Sequence, residues 1–139
     1  MTPQMKAAQI QRYSKEVQIH LNSLPIPEIG PSDVLVRVQA AAVNPLDHLI
    51  LTGSIRVIQN YSMPLTLGNE CAGIVERTGA DVTRFKVGDK VYACLPLAKI
   101  GAFAEYVAID QHALAFMPEN CDFLIASAIP LTGLTAYQA

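Results

Sequence analysis

Hydrophobic and polar residues alternate most regularly between positions 34 and 40. One face of this segment carries three valines and Ala40, and the other carries Arg37 and Gln39. A period of two is that of a half-buried β-strand. We therefore predict a strand here, with its valine face toward a core.

Shorter apolar segments bounded by glycine, proline or aspartate predict further strands. These segments are residues 5–10, 17–21, 71–76, 90–94 and 104–109. Residues 24–31 contain three prolines, which remove ladder donors and fix φ, so we expect an irregular connection there. Many short strands separated by turns favour a barrel or a sandwich.

Helical signals are confined to two places. Asn44 is a favoured N-cap and Pro45 is tolerated at the first helical position, so a short helix through about Leu51 is predicted. Residues 52–64 have no regular pattern. Residues 121–139 are also predicted to be helical, with interruptions at Pro130 and Gly133. The fold class is therefore mainly β with a few short helices.

Composition narrows the possible functions. The chain has 139 residues and a hydrophobic fraction of 51%, which predicts one soluble domain with its own core. Ten basic residues against 12 acidic ones, without a basic cluster, exclude a nucleic-acid surface. No apolar run approaches the roughly 20 residues of a membrane span, and no signal-peptide pattern opens the chain. Membrane partners are therefore not expected.

The chain contains three widely spaced cysteines. They are Cys71, Cys94 and Cys121, and they form no C-x-x-C pair. This pattern indicates reduced thiols and a cytoplasmic location. We expect each cysteine to be a small buried residue.

Six segments, in this order, resemble the medium-chain dehydrogenase/reductase superfamily and, within it, the quinone oxidoreductase branch. They are residues 34–38, 44–47, 68–73, 85–91, 101–107 and 131–137, of which the third reads Gly68-Asn69-Glu70-Cys71-Ala72-Gly73. The resemblance implies a GroES-like, partly open β-barrel over residues 1–130, the N-terminal part of a catalytic domain. Residues 131–139 would then begin the crossover helix into a Rossmann domain that this sequence lacks.

The positions of the zinc ligands decide which chemistry the resemblance implies. Zinc-dependent alcohol dehydrogenases carry a cysteine where this chain has Asn44 and a histidine where it has Asn69, and their structural zinc needs a cysteine cluster that residues 92–101 lack. Neutral amides are poor zinc ligands. We therefore expect no metal site, and a reductase in which NADH or NADPH supplies hydride to a quinone, enone or aldehyde held by hydrogen bonds.

The resemblance also implies which residues line the cleft. Asn44 and Asp47 would both be catalytic residues that line this cleft. Asn44 would contact the nicotinamide and the substrate, with N-capping alone as the alternative, and Asp47 would organise the start of the helix. Tyr61 stands where related reductases carry a tyrosine that can donate a hydrogen bond or a proton to the substrate. The alternative for Tyr61 is a loop tyrosine that packs its ring on the barrel.

Three more residues have expected roles near this cleft. Thr132 and Thr135 match threonines near the cofactor, or they bond their own helix. Glu70 is expected to fix backbone amides of an adjacent loop rather than to perform acid/base work.

Two other functions remain open at this point. The chain could be a relative of zinc-type alcohol dehydrogenases, or a non-catalytic GroES-like binding or assembly module. The 139 residues alone are expected to be inactive, because the ribose-recognising residues would lie in the missing domain. Substrate identity, the choice between NADH and NADPH, and the formation of a homo-oligomer are not decided by the sequence.

Overall fold

Two antiparallel sheets form the body of the computed structural model, which describes residues 2–139. The strands in this range are β1 (Gln4–Ile10), β2 (His20–Pro25), β3 (Asp33–Ala41), β4 (Leu65–Thr66), β5 (Glu70–Thr78), β6 (Lys90–Cys94), β7 (Tyr106–Asp110) and β8 (Leu114–Phe116). The helices are α1 (Pro45–Leu51), α2 (Phe123–Ser127) and α3 (Pro130–Gln138), with a 3₁₀ turn at Gln111–Ala113. No helix among residues 2–139 combines the length and apolar character needed to span a membrane.

The five-stranded sheet has the order β7-β3-β5-β6-β8. The predicted strand over residues 34–40 is confirmed as part of β3, which pairs with both β5 and β7. Val34 and Val36 are fully buried in a core cluster that also contains Val75 and Val91. The β3–β5 register shifts between Leu35 and Val36 and again between Val38 and Ala40. Such bulges bend a strand and increase its twist, which helps the sheet to curl.

The three-stranded sheet, β2-β1-β4, joins the larger sheet through residues 103–105. The N–H of Ala8 donates to the carbonyl oxygen of Phe103 at 2.8 Å, and the N–H of Glu105 donates to that of Lys6 at 3.0 Å. From the other side, the N–H of Val38 in β3 donates to the carbonyl oxygen of Glu105 at 2.9 Å. One segment thus bridges both sheets, and the predicted mainly β, GroES-like fold class is confirmed.

A second core cluster holds α1 against the smaller sheet. Ile50 and Leu51 of α1 are buried with Ile10 of β1 and Leu67. Because α1 is only 7 residues long, this packing contributes more to its stability than helix propensity does. The cluster therefore anchors the C-terminal end of α1, and the opposite end of this helix carries the candidate site.

The prediction for the second strand is wrong. We expected a strand at residues 17–21 and irregular structure from 24 onward, but β2 runs from His20 to Pro25. β2 pairs only with β1 and lies at a sheet edge, where a proline is tolerated because no second neighbour needs its missing N–H. Val17 and Ile19 are exposed outside the strand.

Two further boundaries differ from the prediction. Pro130 does separate α2 from α3, but Gly133 lies inside α3, where its N–H donates to the Ile129 carbonyl oxygen at 2.7 Å. A glycine costs a helix only about 1 kcal/mol relative to alanine, which need not end it. The strand predicted at residues 104–109 is Tyr106–Asp110, and Ala104 makes an isolated bridge to Ala7.

Gly73 lies where β5 passes closest to β3. A Cβ at this position would stand 2.3 Å from the carbonyl oxygen of Arg37 and 2.7 Å from Cγ1 of Val36. We expect Gly73→Ala to lower the free energy of unfolding by about 1–3 kcal/mol, because the strand backbone cannot move aside cheaply. Urea denaturation followed by circular dichroism measures this change.

Gly133→Ala is the matched control. A Cβ there meets only Cγ2 of Ile129, at 3.5 Å, so this variant should be unchanged or more stable by up to about 1 kcal/mol. Equal unfolding midpoints for Gly73→Ala and the unmodified protein would contradict the close approach of β3 and β5.

Candidate functional site

The start of α1 is held by two hydrogen bonds between two buried residues. Asn44 has an extended backbone and stands at the N-cap of α1, three residues before Asp47. The N–H of Asn44 donates to Oδ2 of Asp47 at 2.7 Å, and the N–H of Asp47 donates to the carbonyl oxygen of Asn44 at 2.9 Å. Asp47 therefore organises the helix start. Its role in catalysis stays a prediction.

Glu70, the first residue of β5, links this helix start to α3. It is fully buried, and its Oε1 accepts the side-chain Nδ2–H of Asn44 at 2.7 Å. Its Oε2 accepts the backbone N–H of Leu131 at 2.7 Å. Glu70 thus binds a backbone amide as expected, but this amide belongs to helix α3 and not to a loop. Because an ionised carboxylate only accepts, Asn44 must turn its NH₂ group toward Glu70.

Asn69 completes the arrangement. Its Nδ2–H donates to Oδ1 of Asp47 at 2.8 Å, while its own Oδ1 is buried without a partner among the described residues. The hydrogen bonds thus run from Asn69 through Asp47, Asn44 and Glu70 to Leu131, and we call these five residues the amide–carboxylate chain. Two buried carboxylates are satisfied here by neutral amide donors. No ion pair found in residues 2–139 includes either of them.

The cysteines nearest to Glu70 are poor nucleophiles. Burial, with an added contribution from the charge of Glu70, raises the pKa of Cys71 to about 12. Burial, and to a smaller extent the charge of Glu70, also raises the pKa of Cys94. Cys94 in β6 is the strand partner of Glu70 in β5. A raised pKa means less thiolate at neutral pH.

The cysteines differ in their burial. All three are free thiols, and the expectation of burial is confirmed for Cys71 but wrong for Cys94 and Cys121, which are half-buried. Cys94 is the last residue of β6 and borders a groove beside α3. Cys121 lies before α2, where its Sγ–H donates to the carbonyl oxygen of Pro118 at 3.4 Å.

Tyr61 is tied into the loop that follows α1. Its hydroxyl donates to the carbonyl oxygen of Leu97 at 2.6 Å, and its N–H donates to the hydroxyl of Tyr13 at 2.7 Å. Partial burial, with a smaller effect of Tyr13, raises the pKa of Tyr61. The side chain also packs against the cluster around Ile50. These contacts favour the packing alternative, and the proton-donor role stays a prediction.

Thr132 and Thr135 are exposed on α3 and bond backbone carbonyl groups four residues earlier, which for Thr132 is the C-cap of α2 and for Thr135 lies within α3. Their hydroxyls donate to the carbonyl oxygens of Ala128 and Leu131 at 2.8 and 2.7 Å. This is the common behaviour of threonine within a helix. Each hydroxyl keeps lone pairs that can accept a further bond, so the predicted contact with a cofactor remains a prediction.

Two participants were missed by the sequence reasoning. Leu131 contributes only its backbone N–H, so its side chain gives no signal in the sequence. Tyr13 binds both Asn60, through Oδ1 at 3.1 Å, and the backbone of Tyr61. Tyr13 stands in a polar stretch without any periodic pattern that would single it out.

Nothing in residues 2–139 gathers three or more histidine, cysteine, aspartate or glutamate side chains into a possible metal-binding group. The donor set of the amide–carboxylate chain itself also suits zinc poorly. Asn44 and Asn69 both use their NH₂ groups as donors to carboxylates, and an amide nitrogen in that role is not a ligand.

Comparisons with known proteins agree with the fold. The alcohol dehydrogenase GroES-like domain matches residues 30–119. The human NAD(P)H oxidoreductase RTN4IP1, mitochondrial, is 34% identical over 97% of this chain and 38% of its own length. The tomato (Solanum lycopersicum) 2-methylene-furan-3-one reductase is 32% identical over 97% of this chain and 36% of its own length.

A solved structure, the quinone oxidoreductase from Coxiella burnetii, superposes with a TM-score of 0.91 at 31% identity, and the match covers 98% of this chain and 44% of that one. The chain therefore spans less than half the length of each of these three proteins.

The two bonds to the carboxylate of Asp47 predict its importance for stability. In Asp47→Asn one oxygen becomes an NH₂ group that faces a donor, so we expect a loss of about 1–3 kcal/mol in the free energy of unfolding. Asp81→Asn, at an exposed position, should stay within about 0.5 kcal/mol. Urea titration of both variants tests this, and equal effects would contradict the buried role of Asp47.

The raised pKa of Cys71 predicts protection from alkylation. At pH 8 its thiol is almost entirely protonated in the folded protein, because its folded pKa of about 12 lies far above that pH. Iodoacetamide should therefore leave Cys71 unmodified in buffer and modify it after unfolding in urea, as peptide mass spectrometry would show. Equal modification in both conditions would contradict its burial.

Proposed function

Because this chain belongs to the alcohol dehydrogenase GroES-like domain family, among the quinone oxidoreductases of the medium-chain dehydrogenase/reductase superfamily, we propose that it is the catalytic domain of a metal-independent NAD(P)H reductase. Its substrates are small quinones or enones. The RTN4IP1 relative is named an NAD(P)H oxidoreductase, the solved structure a quinone oxidoreductase, and the tomato relative a reductase of a 2-methylene-3-one, which is an enone.

The amide–carboxylate chain is the observation that carries the metal-free part of the proposal. Where zinc enzymes of the superfamily have ligands, this protein has Asn44 and Asn69, and the NH₂ groups of both donate hydrogen bonds to carboxylates. A catalytic zinc needs three protein ligands with an open fourth position. Only the side-chain oxygens of Asn44 and Asn69 are left over here, and two neutral amide oxygens fall short of the three protein ligands that zinc needs.

The nicotinamide cofactor supplies the hydride when bound. Asn44 and the hydroxyls of Thr132 and Thr135 are the residues of this chain that would hold it, through one amide and two acceptor oxygens. The amide–carboxylate chain fixes the backbone and side chain of Asn44 before a ligand arrives, so little reorganisation is needed on binding.

Tyr61 is the proposed proton donor to the reduced substrate. Its raised pKa keeps the phenol protonated at neutral pH, which is the state a donor requires. The proton now lies in the hydrogen bond to the carbonyl oxygen of Leu97. Donation therefore requires this bond to be exchanged for one to the substrate.

The rest of the proposal concerns the protein around this domain. Residues 1–130 form the catalytic barrel and α3 leads into a nucleotide-binding domain, in keeping with the greater length of the relatives. A cytoplasmic location and assembly into a homo-oligomer remain predictions.

A comparison of two forms of the protein tests this function. A longer form, in which a nucleotide-binding domain follows Ala139, should oxidise NADPH or NADH when a quinone or an enone is added. The 139-residue chain alone should show no turnover, because most of the cofactor contacts are missing. Loss of absorbance at 340 nm measures both. Turnover by the chain alone would contradict the two-domain account, and an inactive longer form would contradict the proposed reaction.

A further inference from the structure

We propose that Glu70 is a positioning residue that couples the start of α3 to Asn44, so that the two sides of the cleft are held as one unit. It acts through these neighbours and does not touch substrate. The inference rests on the proposed function only where it treats the starts of α1 and α3 as the two sides of a substrate cleft. The coupling itself is a property of this chain.

The start of α3 needs a cap that its own sequence does not provide. Ile129 stands at the N-cap and has no side-chain oxygen, and Pro130 occupies the first helical position. The free N–H groups of a helix start require an acceptor. Oε2 of Glu70, from a strand 61 residues earlier, accepts the N–H of Leu131 at 2.7 Å. A carboxylate at this end also interacts favourably with the helix dipole.

The other oxygen of Glu70 fixes the side chain of Asn44. Oε1 accepts the Nδ2–H of Asn44 at 2.7 Å in a fully buried position. A carboxylate offers no donor, so the amide of Asn44 cannot flip without placing two acceptors against each other. Oδ1 of Asn44 and the second hydrogen of its NH₂ group are then left for the start of α1 or a ligand.

Both bonds are accepted by the same planar carboxylate group of Glu70. The positions of Leu131 and of the Asn44 side chain are therefore coupled. A shift of α3 that moves the N–H of Leu131 turns the carboxylate and changes the bond to Asn44. Thr132 and Thr135, the proposed cofactor contacts, follow Leu131 in the same helix. A cofactor that moves α3 would therefore also change the hydrogen bond of the Asn44 side chain.

Glu70→Gln tests the role of the carboxylate. Glutamine has one oxygen for two donors, so either the N–H of Leu131 or the NH₂ of Asn44 loses its acceptor. We expect hydrogen exchange at Leu131 to accelerate at least about tenfold, or the side-chain NH₂ signals of Asn44 to move in the NMR spectrum. Glu76→Gln is the matched control on the same strand, because Glu76 makes only an exposed pair with Arg37. Two unchanged signals in Glu70→Gln would overturn the proposal.

Asn44→Ala tests the coupling itself. The recorded bonds of Asn44 reach Asp47 and Glu70 but not α3. Through Glu70 we nevertheless expect exchange at Leu131 to accelerate at least about twofold, measured against amides of β3 as the internal reference for global unfolding. An unchanged hydrogen-exchange rate at Leu131 would show that the two bonds of Glu70 are independent of each other, which overturns the proposal.

Kinetics of the longer form separate this inference from the proposed function. Glu70→Gln should lower kcat/KM at least about tenfold, measured at a temperature at which urea titration shows both this variant and Glu76→Gln to be fully folded, so that lower stability does not account for the loss. Unchanged kcat/KM in Glu70→Gln would overturn the positioning role. If the unmodified longer form has no activity, the proposed function fails, and the two exchange measurements still decide the coupling.

Discussion

The structure depends on the burial of the Glu70 carboxylate without a cation. A buried charge is costly unless hydrogen bonds replace its hydration, and here two amide donors do so at 2.7 Å each. One donor comes from the N-cap of α1 and the other from α3, so the bonds can form only when both elements are in place. Asp47 is also a buried carboxylate, and its hydrogen-bond donors come from Asn44 and Asn69.

This constraint explains how the barrel and the site support each other. β5 begins at Glu70 and is clamped between β3 and β6, with Gly73 allowing β3 to approach closely. The same strand therefore positions the carboxylate and forms the middle of the larger sheet. Residues 103–105 join the sheets further along, which leaves the barrel partly open. The site is therefore built where β5, α1 and α3 begin.

Much of this could be predicted from local patterns. The alternation over residues 34–40 and the Asn44-Pro45 signal depend on neighbouring residues, and both elements form as expected. β2 was misplaced because an edge strand needs less apolar patterning and tolerates Pro25. The bond from Leu131 to Glu70 could not be foreseen, since a backbone N–H leaves no mark in the sequence. Tyr61 was found by resemblance, but its bond to Leu97 depends on a distant loop.

The central claim is that the asparagines at the two ligand positions leave hydride transfer to the cofactor, with no metal involved. The most direct measurement is the zinc content of the active longer form, by inductively coupled plasma mass spectrometry, together with its reductase activity before and after chelation. Far less than one equivalent of zinc, with activity unchanged by the chelator, is the predicted result. About one equivalent of tightly bound zinc, with activity lost when it is removed, would contradict the claim.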